Sequence, residues 1–238
     1  MNLKYEILDW DSHFFGFKIA RSNNPIIESV SEIKDLLKDA NQENIKLIYF
    51  IVDEQNHAIN EWLSSIDKPV TTNVTFKLNP NDVKSKSHVG VEVYNQTSIE
   101  KELFELAIQA GHDSRYKLDQ RFRKGEFERL YQLWITNSVN HSIADYTFVY
   151  RANGLVKGFV TLKITGQTGT IGLIAVDEST RGLGIGKMLL SQVFQTLAEL
   201  KAEQCLVATQ KDNIGAVKFY ESFGFSIFKS EVFYHIWL

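Results

Sequence analysis

Arg181-Gly182-Leu183-Gly184-Ile185-Gly186-Lys187 lies between an apolar run, Ile171 to Val176, and an amphipathic segment, Met188 to Leu200. That is the layout of a glycine loop leading from a strand into a helix. A helix N-terminus leaves backbone N–H groups unpaired and carries partial positive charge, so it suits an anion. Glycines at 182, 184 and 186 keep Cβ atoms out of the path of an approaching phosphate. The spacing excludes two common phosphate binders. A nucleotide P-loop would need glycine at 181 and Ser or Thr at 188, where this chain has Arg181 and Met188. The dinucleotide pattern Gly-x-Gly-x-x-Gly fails from either start, on Lys187 and on Leu189. What remains is Arg-x-x-Gly-x-Gly ahead of a helix.

A second constellation follows in Asn213-Ile214-Gly215-Ala216-Val217-Lys218-Phe219-Tyr220, closing on Gly224-Phe225. It reads as an Asn-capped helix that presents Tyr220 about two turns beyond its cap. A phenol has a pKa near ~10, above that of a thiol, so Tyr220 can give a hydrogen bond or a proton to a departing thiolate. The plainer reading makes Tyr220 an amphipathic-helix residue and Asn213 only a cap.

These two patterns, in this order, resemble the signatures of the GNAT superfamily of N-acyltransferases, the first as its acyl-CoA pyrophosphate loop. The resemblance implies acyl-CoA as co-substrate and no metal. It places the backbone amides of Ile174 and Val176 on the thioester carbonyl and the pantetheine arm, and those of Gly182, Leu183, Gly184, Ile185, Gly186 and Lys187 on the pyrophosphate. Arg181 and Lys187 become charge partners, Asn213 a pantetheine contact, and Tyr220 the general acid. No base is assigned: His13, His112, His141 and His235 are all conceivable, and spacing marks no Asp or Glu.

Two more segments bear on the acceptor. Trp10-Asp11-Ser12-x-Phe14-Phe15-Gly16 reads as a loop dense in aromatic and polar residues, and Ser114-Arg115-Tyr116-x-x-Asp119-x-x-Phe122 leads on to Tyr131 and Trp134. Together they resemble the TDP-fucosamine acetyltransferase family, which acylates the amino group of a dTDP-linked amino-deoxysugar. The resemblance implies a nucleotide-sugar substrate, an acetyl or 3-hydroxybutyryl donor and a role in surface-polysaccharide (O-antigen or capsule) synthesis. It also admits a homodimer; a cytoplasmic protein is the default expectation from the want of a membrane-span or signal-peptide pattern in the sequence. Arg115 or Arg121 can pair with a pyrophosphate, and Phe14, Phe15, Tyr116, Phe122 or Trp134 can stack on a base or pack on the sugar. Asp11 and Asp119 complete the candidate substrate residues. Each aromatic can equally be core, and Arg115 and Asp119, four apart, can simply pair with each other. An acyltransferase for a peptide or other small amine, and a CoA-binding sensor without activity, are the alternatives.

The elements that must position these residues follow from periodicity. Helices are expected at Ile27 to Asn41, Ala58 to Ser65, Ser98 to Ala110 with Ser98 as cap, Glu126 to Ser138, Met188 to Leu200 and Asn213 to Ser222. Strands are expected at Tyr5 to Leu8, Phe17 to Ala20, Leu47 to Val52, Val70 to Leu78 and Val91 to Tyr94. A hairpin turning at Asn153-Gly154 follows, then Thr170 to Val176, Cys205 to Ala208, and two closing strands, Phe225 to Lys229 and Val232 to Trp237. This is an α/β pattern with a mixed sheet. The GNAT resemblance makes the sheet mostly antiparallel and divides the chain at the polar stretch Asn79 to His88, into a smaller partial GNAT-like domain (1–80) and a catalytic domain (81–238). The chain has 238 residues and a formal net charge of −3, with no basic cluster to suggest nucleic acid. No apolar run reaches the ~20 residues of a membrane span, and no signal-peptide pattern opens the chain. Cys205, the only cysteine, sits in an apolar strand and reads as core.

Overall fold

A computed structural model describes residues 5–22, 29–83, 88–96 and 98–238. The elements in chain order are β1 (Tyr5–Ile7), α1 (Asp9–Phe15), β2 (Ile19–Ser22), α2 (Val30–Gln42), β3 (Leu47–Asp53), α3 (His57–Ile66), β4 (Thr71–Leu78), β5 (Val91–Val93), α4 (Lys101–Ala110) and α5 (Arg115–Leu118). They continue with α6 (Glu126–Val139), β6 (Tyr146–Ala152), β7 (Leu155–Thr165), β8 (Thr168–Val176), α7 (Ile185–Glu199), β9 (Gln204–Gln210), α8 (Ile214–Glu221) and β10 (Ser226–Trp237).

The strands form one sheet in the order β1-β2-β3-β10-β4-β9-β8-β7-β6-β5. Only β2/β3 and β8/β9 are parallel, so the sheet is mixed and mostly antiparallel. β4 lies between β9 and β10, and β10 pairs with both β3 and β4. The sheet therefore runs unbroken across the sequence boundary at residue 80, and strands from the two sides of it alternate. The two closing strands expected from sequence are one strand, β10, which pairs continuously through Ser230 and Glu231 where a break was expected; its register shifts earlier, between Ile227 and Lys229.

Strand alternation sends side chains to two helical layers. In β3, Ile48, Phe50 and Val52 join Ile33, Leu36, Ile59 and Leu63 of α2 and α3. Leu47 and Tyr49 face the other way, into an aromatic cluster with Phe15, Tyr116, Phe122 and Tyr131. On the second half of the sheet, α7 covers one face through Leu189, Leu190, Val193, Phe194 and Leu197. Helices α4 and α6 cover the opposite face through Leu103, Leu106 and Ile135.

Local signals explain most boundaries. A capping box starts α2: Glu32 N–H donates to Ser29 Oγ, and Ser29 N–H donates to Glu32 Oε2. Its first residue is Val30, and Ile27, the expected start, lies outside the described residues. The hairpin turns on Asn153 and Gly154, both at positive φ, as a two-residue primed turn requires. The segment at Trp10 to Phe15, expected as a loop, is the short helix α1, ended by Gly16 in the left-handed region. Ser98 does not cap α4; the helix starts at Lys101 behind Glu100. Cys205 is fully buried, and burial raises its thiol pKa to about 12, so it is core as expected. Among the described residues, no helix is long and apolar enough to cross a membrane.

Candidate active site

The site begins where two strands part. β8 and β9 pair from Thr168/Gln204 only as far as Ile171/Val207. Beyond that point β8 stays with β7 and β9 stays with β4, which opens a gap. The β7/β8 register shifts at the same place: Leu162 faces Ile171 but Val160 faces Ile174, so Gly172 and Leu173 together oppose Thr161. Leu173 N–H donates to Thr161 Oγ1 at 2.8 Å, and Asp177 N–H donates to the Lys157 carbonyl at 2.9 Å, both toward β7. Because N–H direction alternates along a strand, the amides of Ile174 and Val176 point away from β7, into the gap. The Val176 carbonyl, on that same side, accepts from Gln109 Nε2 at 2.9 Å.

The glycine loop lies at the end of β8. Asp177 opens a 3-10 turn, its Oδ1 accepting from Ser179 N–H at 3.0 Å. Arg181 is exposed, reaches the Val176 carbonyl with Nε and pairs with Glu178. Gly184 caps α7 at φ +81°, a left-handed conformation that L side chains adopt only with strain. The helix starts at Ile185, three residues earlier than periodicity suggested, so Gly186 and Lys187 belong to its first turn. No acidic residue occupies that turn, which leaves its amides available to an anion. A Cβ on Gly186 would come within 3.1 Å of the Phe219 ring, so glycine there also lets α8 close against α7.

Helix α8 carries Asn213 and Tyr220. Asn213 Oδ1 accepts from Ala216 N–H at 3.0 Å, which is the expected cap, and its Nδ2 donates to Asp113 Oδ2 at 2.9 Å. Tyr220 packs against Phe76, Phe219 and Phe225. Burial raises its phenol pKa, so the group is neutral and proton-bearing throughout the working range.

One cleft of about 1110 Å³ joins these parts. Ile174, Val176, Arg181, Gly182, Gly184, Ile185, Gly186, Lys187, Asn213 and Tyr220 line it, together with Arg115, Tyr116 and Trp134. Arg115 is the most informative of the expected substrate residues. Its guanidinium lies 4.1 Å from the Tyr49 ring centre, 4.6 Å from Tyr116 and 5.3 Å from Phe233. Nη2 donates to the Tyr116 hydroxyl at 2.6 Å, and Nη1 is buried without a partner.

The other expected substrate residues stand elsewhere. Asp119 does not pair with Arg115. It accepts from Arg121 Nε at 2.7 Å, from His235 Nδ1 at 2.7 Å and from Trp237 Nε1 at 3.0 Å. Arg121 is further held by Asp67 and by the His235 carbonyl, so each of its guanidinium nitrogens already has a partner. Phe122 is buried core. Phe14 stacks on Trp10 and lies beneath Arg129. Asp11 accepts from the Tyr49 hydroxyl, behind Arg115 rather than on the cleft wall. Burial is also the largest influence on the Asp11 carboxyl, raising its pKa.

Of the four histidines considered, only His112 lines the cleft, and His235 is fully buried. Burial lowers the His235 pKa to about 4, against the pull of Asp119, whose carboxyl is held well below its usual range. Sequence reading passed over Asn73, Phe233 and Gln109, all in the cleft wall. They come from β4, β10 and α4, far apart in the chain, and no local pattern distinguishes them from ordinary strand and helix residues.

A parallel strand pair that opens beside a glycine-capped helix, with a buried tyrosine on the following helix, is the arrangement expected of the acetyltransferase (GNAT) fold. Residues 109–225 match the acetyltransferase (GNAT) family, and the chain carries a GNAT acetyltransferase domain. It is similar to the spore coat polysaccharide biosynthesis protein SpsD of Bacillus subtilis (strain 168), 29% identical over 56% of this chain and 46% of that protein. The matched stretch thus spans less than half the length of the curated relatives. Among solved structures, a GCN5-related N-acetyltransferase from Sphaerobacter thermophilus superposes with a TM-score of 0.63 at 14% identity, covering 98% of this chain and 76% of the other. A tandem GNAT protein from the clavulanic acid biosynthesis pathway gives 0.55 at 14% identity, covering 92% and 75%.

Proposed function

We propose that this protein transfers an acyl group, acetyl or 3-hydroxybutyryl, from acyl-CoA to the amino group of a dTDP-linked 3- or 4-amino-dideoxy sugar, in the synthesis of a surface polysaccharide. The observation that carries the acceptor half of this reading is Arg115. It holds an unpartnered guanidinium nitrogen in the same cleft as the strand gap, the glycine loop and Tyr220. A cation so placed favours an anionic acceptor, and a nucleotide pyrophosphate supplies one. The likeness to a polysaccharide-biosynthesis protein agrees with a sugar acceptor. A cytoplasmic location, a homodimer and the division into residues 1–80 and 81–238 belong to the same reading.

In this mechanism the loop amides from Gly182 to Lys187 hold the CoA pyrophosphate at the N-terminus of α7. The amine nitrogen attacks the thioester carbon, and an amide N–H in the gap, from Ile174 or Val176, stabilises the oxyanion that forms. Such a donor is worth roughly 3–4 kcal/mol. As the C–S bond breaks, Tyr220 gives a hydrogen bond and then its proton to the departing sulfur. The proton lost by the nitrogen restores the phenol through water, so the products are the amide and free CoA thiol. No side chain is assigned as base.

Thiol release from acetyl-CoA and 3-hydroxybutyryl-CoA, measured with dTDP-amino sugars, simple amines and peptides, tests the reading. Turnover concentrated on the nucleotide sugars supports it. Equal or faster turnover of simple amines or peptides would replace the acceptor, and no thiol release with any acceptor would leave a CoA-binding sensor.

A further inference from the structure

Arg115 Nη1 and Asn73 Oδ1 are both buried, lack a hydrogen-bond partner and belong to residues that line the cleft. Ser114 Oγ, next to Arg115, is a third such atom in the cleft wall; an unpaired buried polar atom destabilises a fold, so a native protein that keeps them in one cleft has a use for them. Their placement follows from strand register. Asn73 faces Glu231 across the β4/β10 ladder and Phe233 faces Thr71, so Asn73 and Phe233 point to the same side of the sheet. Tyr49 and Ile51 lie on that side too, opposite His235 and Phe233. Arg115 stands over Tyr49 and Phe233 from α5. Asn73 also faces Gln210 of β9, at the lip of the strand gap. A ligand reaching from the gap across this floor therefore meets first the amide and then the guanidinium.

The two groups ask for different chemistry. Among the described residues no carboxylate lies within ion-pair distance of Arg115, so its partner is an anionic oxygen supplied from outside. An amide answers to a neutral hydroxyl, which both gives and accepts. The Phe233 ring, which lines the cleft on the same side of the sheet as Asn73 and lies 5.3 Å from the Arg115 guanidinium, suits the apolar face of a sugar.

We propose that Arg115 and Asn73 form a two-point acceptor subsite that takes a sugar phosphate, with a phosphoryl oxygen on Arg115 Nη1 and a neighbouring sugar hydroxyl on the Asn73 amide. This rests on the nucleotide-sugar reading for the identity of the physiological sugar. The subsite itself is testable without it.

The test titrates full-length, CoA-loaded protein with three probes: α-D-glucose 1-phosphate, inorganic phosphate and methyl α-D-glucoside. Glucose 1-phosphate should bind about ten-fold or more tighter than either of the others. Asn73→Ala should weaken glucose 1-phosphate about ten-fold, leave inorganic phosphate unchanged and leave Tm unchanged or raised, since a buried unpaired oxygen is removed. Arg115→Gln should weaken both phosphate-bearing probes. The proposal is overturned if wild-type protein binds none of the probes or does not favour glucose 1-phosphate. It is equally overturned if Asn73→Ala leaves glucose 1-phosphate affinity intact in a folded protein. If the probe pattern holds while dTDP-amino sugars are not acylated, the subsite stands and the nucleotide-sugar reading fails.

Discussion

Lowering the pH from about 7 to about 4.5 drives a second ring proton toward a histidine that the fold holds neutral. His235 is fully buried, donates from Nδ1 to Asp119 and stands among Tyr49, Tyr116 and Phe122, with Arg121 and Arg115 adding repulsion to its protonated form. Burial lowers its pKa from 6.5 to about 4, so the unfolded chain takes up the proton first as pH falls. Its contribution to stability is complete above about pH 6.5 and is lost as pH drops toward 4. At about 1.4 kcal/mol per unit, the whole shift is worth about 3 kcal/mol, of which roughly 2–3 kcal/mol is gone by pH 4.5. Asp119 contributes in the same direction only at lower pH, because its carboxyl is held below the usual range. Urea unfolding followed by tryptophan fluorescence at both pH values measures the loss. His235→Gln keeps a donor toward Asp119 and removes the titration, so its stability should fall by about 2 kcal/mol less than wild type over the same range. Equal losses in the two proteins would refute a neutral buried His235.

Gly184→Val should abolish CoA binding by calorimetry in a protein that remains folded but melts a few degrees lower, because φ +81° strains any L side chain at the loop's closest approach. Unchanged CoA affinity would remove the loop from the site. Tyr220→Phe should lower kcat about 10²-fold with CoA affinity nearly constant, the expected scale for a lost general acid. An unchanged kcat, with chemistry shown to limit the rate, would reduce Tyr220 to packing. Arg115→Ala should raise KM for a dTDP-amino sugar by one to two decades, roughly 1.5–3 kcal/mol for a charge-assisted bond, and KM for acyl-CoA far less. Asp119→Asn should instead lower Tm and spare both KM values, since Asp119 ties Arg121, His235 and Trp237 together and does not touch Arg115.

The proposed donor half of the site was legible because its chemistry is backbone chemistry. Consecutive residues supply it, so the strand, loop and helix around Gly182 to Gly186 carry the pattern in one stretch, and Tyr220 follows its own cap. The proposed acceptor half is assembled from side chains on β3, β4, β10 and α5, whose neighbours are fixed by sheet order. β4 lies between β9 and β10, a placement that no local periodicity encodes. Arg115 and Asp119 bear the consequence. Four apart, they suggest a helical pair, yet α5 is a single turn ending at Leu118, and Asp119, just past it, is drawn to the buried end of β10. That leaves Arg115 without a carboxylate of its own. The buried salt-bridge position went to Arg121, which fastens α5 and α6 to the sheet through Asp119, Asp67 and the His235 carbonyl. The arginine left without an ion pair, its charge supported through space by Asp11, is the one facing the cleft. A sequence can announce that an arginine and an aspartate are near each other along the chain, but only the tertiary competition for the carboxylate decides which arginine keeps an unpartnered donor in the cleft.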